Sequence, residues 1–346
     1  MTTDQFRLLS DRCSVERSIS LFMLVAILCG IGGCGSEKSS SSAVKPHEFS
    51  TDAKRLSLVR FSPNGKLLAA GGTSGEVFVW RESSERPITL DSGRSSPLVS
   101  LTWSPDGLLS LTDMDHGFVG WQLSTAKSDQ ATSDQTKPDR VEFPPLASAA
   151  VCVAFRPKSS DRELVLGMQD GSLIFVDKAG SKQLKPEHRG PVKQAVYSLD
   201  GNWLITAGAD GNLLWRDAAT RQLKQIVKGA ESDISRLLLS ADGQQLISGD
   251  WNGRLKVWDM IARKSLREFN QPEAVSGLGW VRGELVSGGW DGTLRGWDVA
   301  TGRGLRSIAT GQPIHDLTTD SETSRVATVS LEGLVRVWDW QTATSP

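Results

Sequence analysis

Reactive and metal-binding side chains are scarce in this 346-residue chain. Its four cysteines, Cys13, Cys29, Cys34 and Cys152, form no C-x-x-C pair, so a zinc or dithiol redox motif lacks its spacing. Its four histidines, His47, His116, His188 and His315, fall far apart and offer no metal-ligand spacing. No glycine-rich phosphate loop stands between a strand pattern and a helix pattern. The apolar stretch at residues 19–31 has 13 residues, short of the roughly 20 that a spanning helix needs. Charge has no dominant sign, with 39 Lys+Arg against 40 Asp+Glu, so the electrostatic footprint of a nucleic-acid binder is missing. These absences predict a protein with no enzymatic activity, no cofactor, no metal and no nucleic-acid partner.

What is present is a repeat. GRLKVWD ends at Asp259, GTLRGWD at Asp298 and GLVRVWD at Asp339. Each is a glycine turn, a short alternating strand and a Trp-Asp pair. Weaker copies end at Trp80, Trp121, Val176 and Arg216. Together with Trp258, Trp297 and Trp338 these positions are spaced by 41, 55, 40, 42, 39 and 41 residues. A period near 40 built only from strand signals marks a β-propeller with one four-stranded blade per repeat. The fold class expected is all-β, a seven-bladed propeller over residues 46–340 with a tail at 341–346.

Turn chemistry agrees. Ser62-Pro63-Asn64-Gly65, Ser104-Pro105-Asp106-Gly107, Ser198-Leu199-Asp200-Gly201 and Ser240-Ala241-Asp242-Gly243 recur after the first strand of their repeats, with Pro pre-setting the second position in two of them and Gly at the fourth in all. Ala209-Asp210-Gly211 predicts a tight hairpin between the second and third strands of repeat four. The chain ends six residues after Trp340, too soon for another strand. The outer strand of the last blade is therefore expected from upstream, near residues 46–50, and deleting 35–50 should destabilise the whole ring.

These residues resemble the WD40-repeat family, most closely in repeats five to seven. In that family a His–Ser/Thr–Asp–Trp hydrogen-bond network often ties each blade together. The resemblance assigns His188, Thr206 and Asp210 to such a network in blade four, Ser248 and Trp258 in blade five, and Ser287, Asp291 and Trp297 in blade six. Repeat four has Trp215 one position early and Arg216 in the usual Trp place. Strand alternation then turns Trp215 toward the blade interior and Arg216 outward. The residue just before the tight-turn acid commonly lies at the top mouth of the channel in this family. The matching positions are Thr73, Met114, Gln169, Ala209, Trp251, Trp290 and Leu331. Trp251 and Trp290, on adjacent blades, with Met114, Gln169 and Leu331 on the same rim, form the candidate surface for a protein or peptide partner, because large aromatics dominate interface energetics.

The N-terminal region carries a second expectation. Residues 19–31 are uncharged and follow Arg7, Arg12 and Arg17, the length and flank of a signal-peptide core. Ile31-Gly32-Gly33-Cys34 resembles the lipobox of bacterial lipoproteins, implying a signal peptide at 1–33 and lipidation at Cys34. Residues 34–45 are Ser-rich and read as a flexible tether. The resulting expectation is a monomeric, lipid-anchored propeller in a bacterial cell envelope, facing periplasm or exterior and binding a protein partner. A quinoprotein-like or outer-membrane assembly propeller is the alternative, with an envelope propeller enzyme behind it. The polar insert 124–140 is expected to be mobile.

Overall fold

The computed structural model describes residues 46–49, 51, 55–82, 84, 86–123, 138–143, 146–159, 161–320, 322–330 and 332–342. The signal-peptide, tether and Cys34 assignments lie outside these residues, as do 124–137 of the polar insert, Leu331 and 343–346 of the tail.

Strand-forming sequence and Asp-Gly or Asn-Gly punctuation produce seven four-stranded antiparallel sheets. In blades one to six the strands pair in chain order. Their first strands are Leu56–Phe61, Leu98–Trp103, Ala150–Phe155, Val192–Tyr197, Ile234–Leu239 and Val275–Val281. Blade seven holds Asp316–Asp320, Arg325–Val329 and Val335–Asp339. Its fourth strand is His47–Phe49, antiparallel to the third, with His47 opposite Val337 and Phe49 opposite Val335. The first strands contact one another around the ring, and the first strand of blade seven meets that of blade one. The chain thus closes on itself by joining its upstream end to its last blade, and no long sheet edge is left open.

The core is divided among the blade interfaces. One apolar cluster joins blades one and two, another blades seven and one, and others join blades three and four, four and five, five and six, six and seven, and two and three. Each blade buries apolar surface on both sides, which makes the stability of the ring a sum of neighbour contacts.

Register explains the repeated Trp. Trp80, Trp121, Trp258, Trp297 and Trp338 stand opposite Leu68, Leu109, Leu246, Leu285 and Val326 on the second strand of their own blades. All five are buried. Arg216 occupies the same register, opposite Leu204, and here the structure corrects the sequence reading. Trp215 is fully buried and packs toward Trp258 of blade five, 6.2 Å between rings. Arg216 does not point outward: its side chain is 3% exposed, paired with Glu187 from the loop after blade three and donating to the Arg221 carbonyl. A residue that alternates away from one blade interface in a propeller enters the next one, so both faces of the strand are interior.

The insert is also corrected at its C-terminal end. Asp139–Glu142 is the outer strand of blade two, and Arg140 donates to the Ser92 carbonyl at 2.8 Å.

Candidate functional site

Second strands end at the top of each blade, and the following residue is fixed by one recurring bond. The backbone N–H of Thr73, Met114, Gln169, Ala209 and Trp251 donates to the Arg55, Pro97, Ala149, Pro191 and Asp233 carbonyls, each just ahead of the first strand of the same blade, at 3.0–3.3 Å. These side chains therefore sit at equivalent places on the top rim. In the turn after Trp251 the chain needs Gly253, at φ +79°, where a Cβ would lie 2.3 Å from the Gln271 carbonyl oxygen.

Blades five to seven bring three aromatic groups together. Trp251 and Trp290 have ring centroids 5.5 Å apart at 60°. His315 continues the row, 6.1 Å from Trp290 at 38°. All three are half-buried. Met114 and Gln169 share the rim on blades two and three, with Met114 half-buried and Gln169 exposed. His315 escaped the sequence reading because it belongs to no repeat position and has no ligand partner in sequence. Its only sequence signal is its place immediately before the first strand of blade seven.

The electronic state of His315 follows from its neighbours. Burial pushes the imidazole below its ordinary range, against the opposing pull of the Ser57 contact and the Asp316 charge. The Ser57 carbonyl can only accept, so Nδ1 carries the proton and donates at 3.0 Å. Below the rim, buried Asp316 accepts from the Val59 N–H at 3.1 Å, pairs with Arg60 of blade one and reaches Arg236 of blade five at 3.3 Å. Blade six presents Gly277 at the corresponding register, where a Cβ would lie 2.5 Å from Leu317 Cβ. Arg60, Asp316 and Arg236 tie blades one, seven and five together beside His315.

The blade networks hold this scaffold. His188 Nδ1 lies 3.0 Å from Asp210 and Nε2 lies 2.9 Å from Thr206 Oγ1. The carboxylate can only accept, so Nδ1–H donates to it and Nε2 accepts the Thr206 hydroxyl. Burial lowers the His188 pKa. Burial works to raise Asp210, but the Arg189 N–H, His188 and the Asn212 N–H outweigh it and hold the carboxyl at about 2. The set has the residue types of a catalytic relay, yet His188 is 4% and Thr206 2% exposed, so no substrate reaches them.

Blade five has the Trp258 Nε1–H to Ser248 bond at 2.9 Å, and blade six has Trp297 Nε1–H to Ser287 at 2.8 Å. Ser287 in turn donates to Gln271 Oε1 at 2.7 Å, so Gln271 takes the place that the resemblance reserves for His. Asp291 does not join this chain of bonds: it pairs with Arg295 and accepts the Thr293 N–H. A neutral amide has its donors already used on the Glu273, Ala274 and Gly288 carbonyls, and an Arg four residues on supplies the carboxylate with a better partner. Sequence reasoning also passed over Trp338 Nε1–H to Thr328, 3.0 Å, in blade seven.

Cys152 is buried, its thiol pushed up to about 12, with Sγ donating to the Val192 carbonyl. Among the described residues no group of three His, Cys, Asp or Glu could hold a metal ion.

Comparison with known proteins agrees with the geometry on fold. The family model described as "WD domain, G-beta repeat" matches residues 45–81, 181–216, 221–259 and 263–298. The chain is an all-β, seven-bladed WD40-like propeller. A chain in a solved structure titled "Crystal Structure of Mitotic Checkpoint Complex" superposes with a TM-score of 0.71 at 15% identity, covering 92% of this chain and 98% of that one, a likeness of fold alone. Among curated proteins, the pre-rRNA-processing protein crb3/ipi3 of Schizosaccharomyces pombe is 26% identical over 64% of this chain and 50% of its own. The COMPASS component SWD1 of Saccharomyces cerevisiae is 27% identical over 56% of this chain and 47% of its own. The chain thus spans about half the length of these relatives.

These relatives correct the expectation of a lipid-anchored bacterial envelope lipoprotein. The similarity runs to eukaryotic proteins named for pre-rRNA processing and for a COMPASS complex. The lipobox resemblance rests on four residues, whereas the matches to relatives rest on more than half the chain. The bacterial lipoprotein assignment, its membrane partner and its envelope location are withdrawn. Neither relative is named for a catalytic activity.

Proposed function

We propose that this propeller is a non-catalytic scaffold that captures a protein partner on the top rim of blades five to seven. The observation that carries the reading is the row Trp251–Trp290–His315, in which the Trp290 ring lies 5.5 Å from Trp251 and 6.1 Å from His315, each group from a different blade. Large half-buried aromatics held on a rigid frame lose little conformational entropy on binding and supply the anchors on which interface affinity concentrates. The Arg60–Asp316–Arg236 tie beside His315 fixes the frame. The two relatives, a pre-rRNA-processing protein and a COMPASS component, have names that suit an assembly role.

The test is quantitative affinity capture with the wild-type chain and with Trp251→Ala, Trp290→Ala and the double variant. The expected result is loss of the bound partner in the double variant, with an unchanged circular dichroism spectrum. Equal capture by wild type and a folded double variant would refute the rim as the binding surface.

A further inference from the structure

A second recessed surface lies where the ring closes, away from the rim. Between blades seven and one there is a cleft of about 250 Å³. Its floor is apolar: Phe49, Phe61, Trp80 and Val337, with Phe49 and Trp80 rings 5.4 Å apart. The closing strand borders it through His47 and Phe49. His47–Phe49 has three residues and pairs only with Val335, Arg336 and Val337. In blade six the outer strand pairs with the third strand from Thr293 as far as Asp298. Trp338 and Asp339 of blade seven have no such outer partner among the described residues.

Size and charge define what fits. Pockets for whole drug-sized ligands run from roughly 300 to 1,000 Å³, so this one suits a single apolar side chain presented by a longer segment. The lining carries three cations, Lys66, Arg81 and Arg325, against one acid, Glu82. Arg325 is committed to the wall: it pairs with Asp320 and Glu82 and lies 5.2 Å over the Phe61 ring. Lys66 and Arg81 are exposed at the mouth. The chain's own residues 1–45 carry five bases and four acids, which does not complement this mouth.

We propose that the cleft is a docking site for an acidic peptide segment of a partner protein, one that lays a single apolar side chain over the half-exposed Phe49 and Val337 and sets carboxylates against Lys66 and Arg81. Burial of the anchor supplies affinity, and the paired charges supply specificity and encounter rate.

The experiment uses the full chain and a fluorescein-labelled peptide with one central Phe flanked on each side by three Asp or Glu residues, read by fluorescence anisotropy. Saturable binding is expected, weakened about tenfold or more by Lys66→Glu with Arg81→Glu, by Ser in place of the peptide's Phe, and by raised salt. Arg81→Glu alone, a single exposed change, should weaken binding in the same direction and guards against misfolding of the pair. Trp251→Ala with Trp290→Ala should leave this binding unchanged, which separates the cleft from the rim. Binding that survives charge reversal in a folded variant, or that follows the rim substitutions instead, would overturn the proposal. So would absence of binding to the full chain, the result expected if residues upstream of His47 occupy the cleft.

Discussion

Single positions decide how each Trp is satisfied. Trp258, Trp297 and Trp338 donate to a hydroxyl at one register of the second strand, Ser248, Ser287 and Thr328. Blade one has Ala70 at that register and its buried Trp80 Nε1–H lacks a partner among the described residues. Ala70→Ser should therefore raise stability, by about 0.5–1.5 kcal/mol for one hydrogen bond gained, measured as a higher urea midpoint. Ser287→Ala should act oppositely, costing about 1–3 kcal/mol because it strands both the Trp297 donor and the Gln271 acceptor. Protonation acts at the same scale. His188 and His315 are held below the ordinary imidazole range by burial. The unfolded chain thus binds more protons below about pH 6.5, and stability is complete above that pH and falls below it. Asp210, held at about 2, extends the loss from the ordinary carboxylate range down to pH 2. Urea midpoints at pH 7.5, 6 and 5 should decline in that order, and a flat series would contradict the assignment. The repeated Trp residues were legible in the sequence because a period is visible without knowing contacts. Gln271 was not, since its role depends on a neighbour sixteen residues away that only the folded blade supplies.

Strands and turns were the most legible elements. The Ser-x-Asp/Asn-Gly turns satisfy themselves locally: Ser198 donates to Asp200, and the Trp203 N–H returns to Ser198 Oγ at 2.9 Å. Local bonds of this kind are written into the six residues 198–203, so sequence alone reveals them. The closing strand, expected near residues 46–50, is His47–Phe49. Its removal is the element-scale prediction: deletion of residues 35–50 should lower the melting temperature of the entire ring, because His47–Phe49 supplies the outer strand of blade seven and Phe49 packs against Trp80 of blade one. A melting temperature equal to that of the full chain would contradict closure through this strand. The destination of Arg216 was not legible. Alternation tells which face of a strand a side chain takes, yet in a propeller both faces meet another blade, and Glu187 is brought there by the connection after blade three.

At the scale of the molecule, seven interfaces of similar construction make a frame whose top rim can carry side chains without disturbing the core. The equivalence of Thr73, Met114, Gln169, Ala209 and Trp251 follows from the period. The meeting of Trp290 with His315 does not, because it depends on the inward approach of the residue ahead of the last first strand. The N-terminal reading went astray for a related reason: a four-residue motif carries far less information than similarity spread over 231 residues. The central claim is that a protein partner sits on blades five to seven at the rim. Hydrogen–deuterium exchange of the native complex against the free chain tests it most directly. Protection is predicted in the turns bearing Trp251 and Trp290 and in the segment 310–315. Protection confined to other blades, with these three segments exchanging as in the free chain, would contradict it.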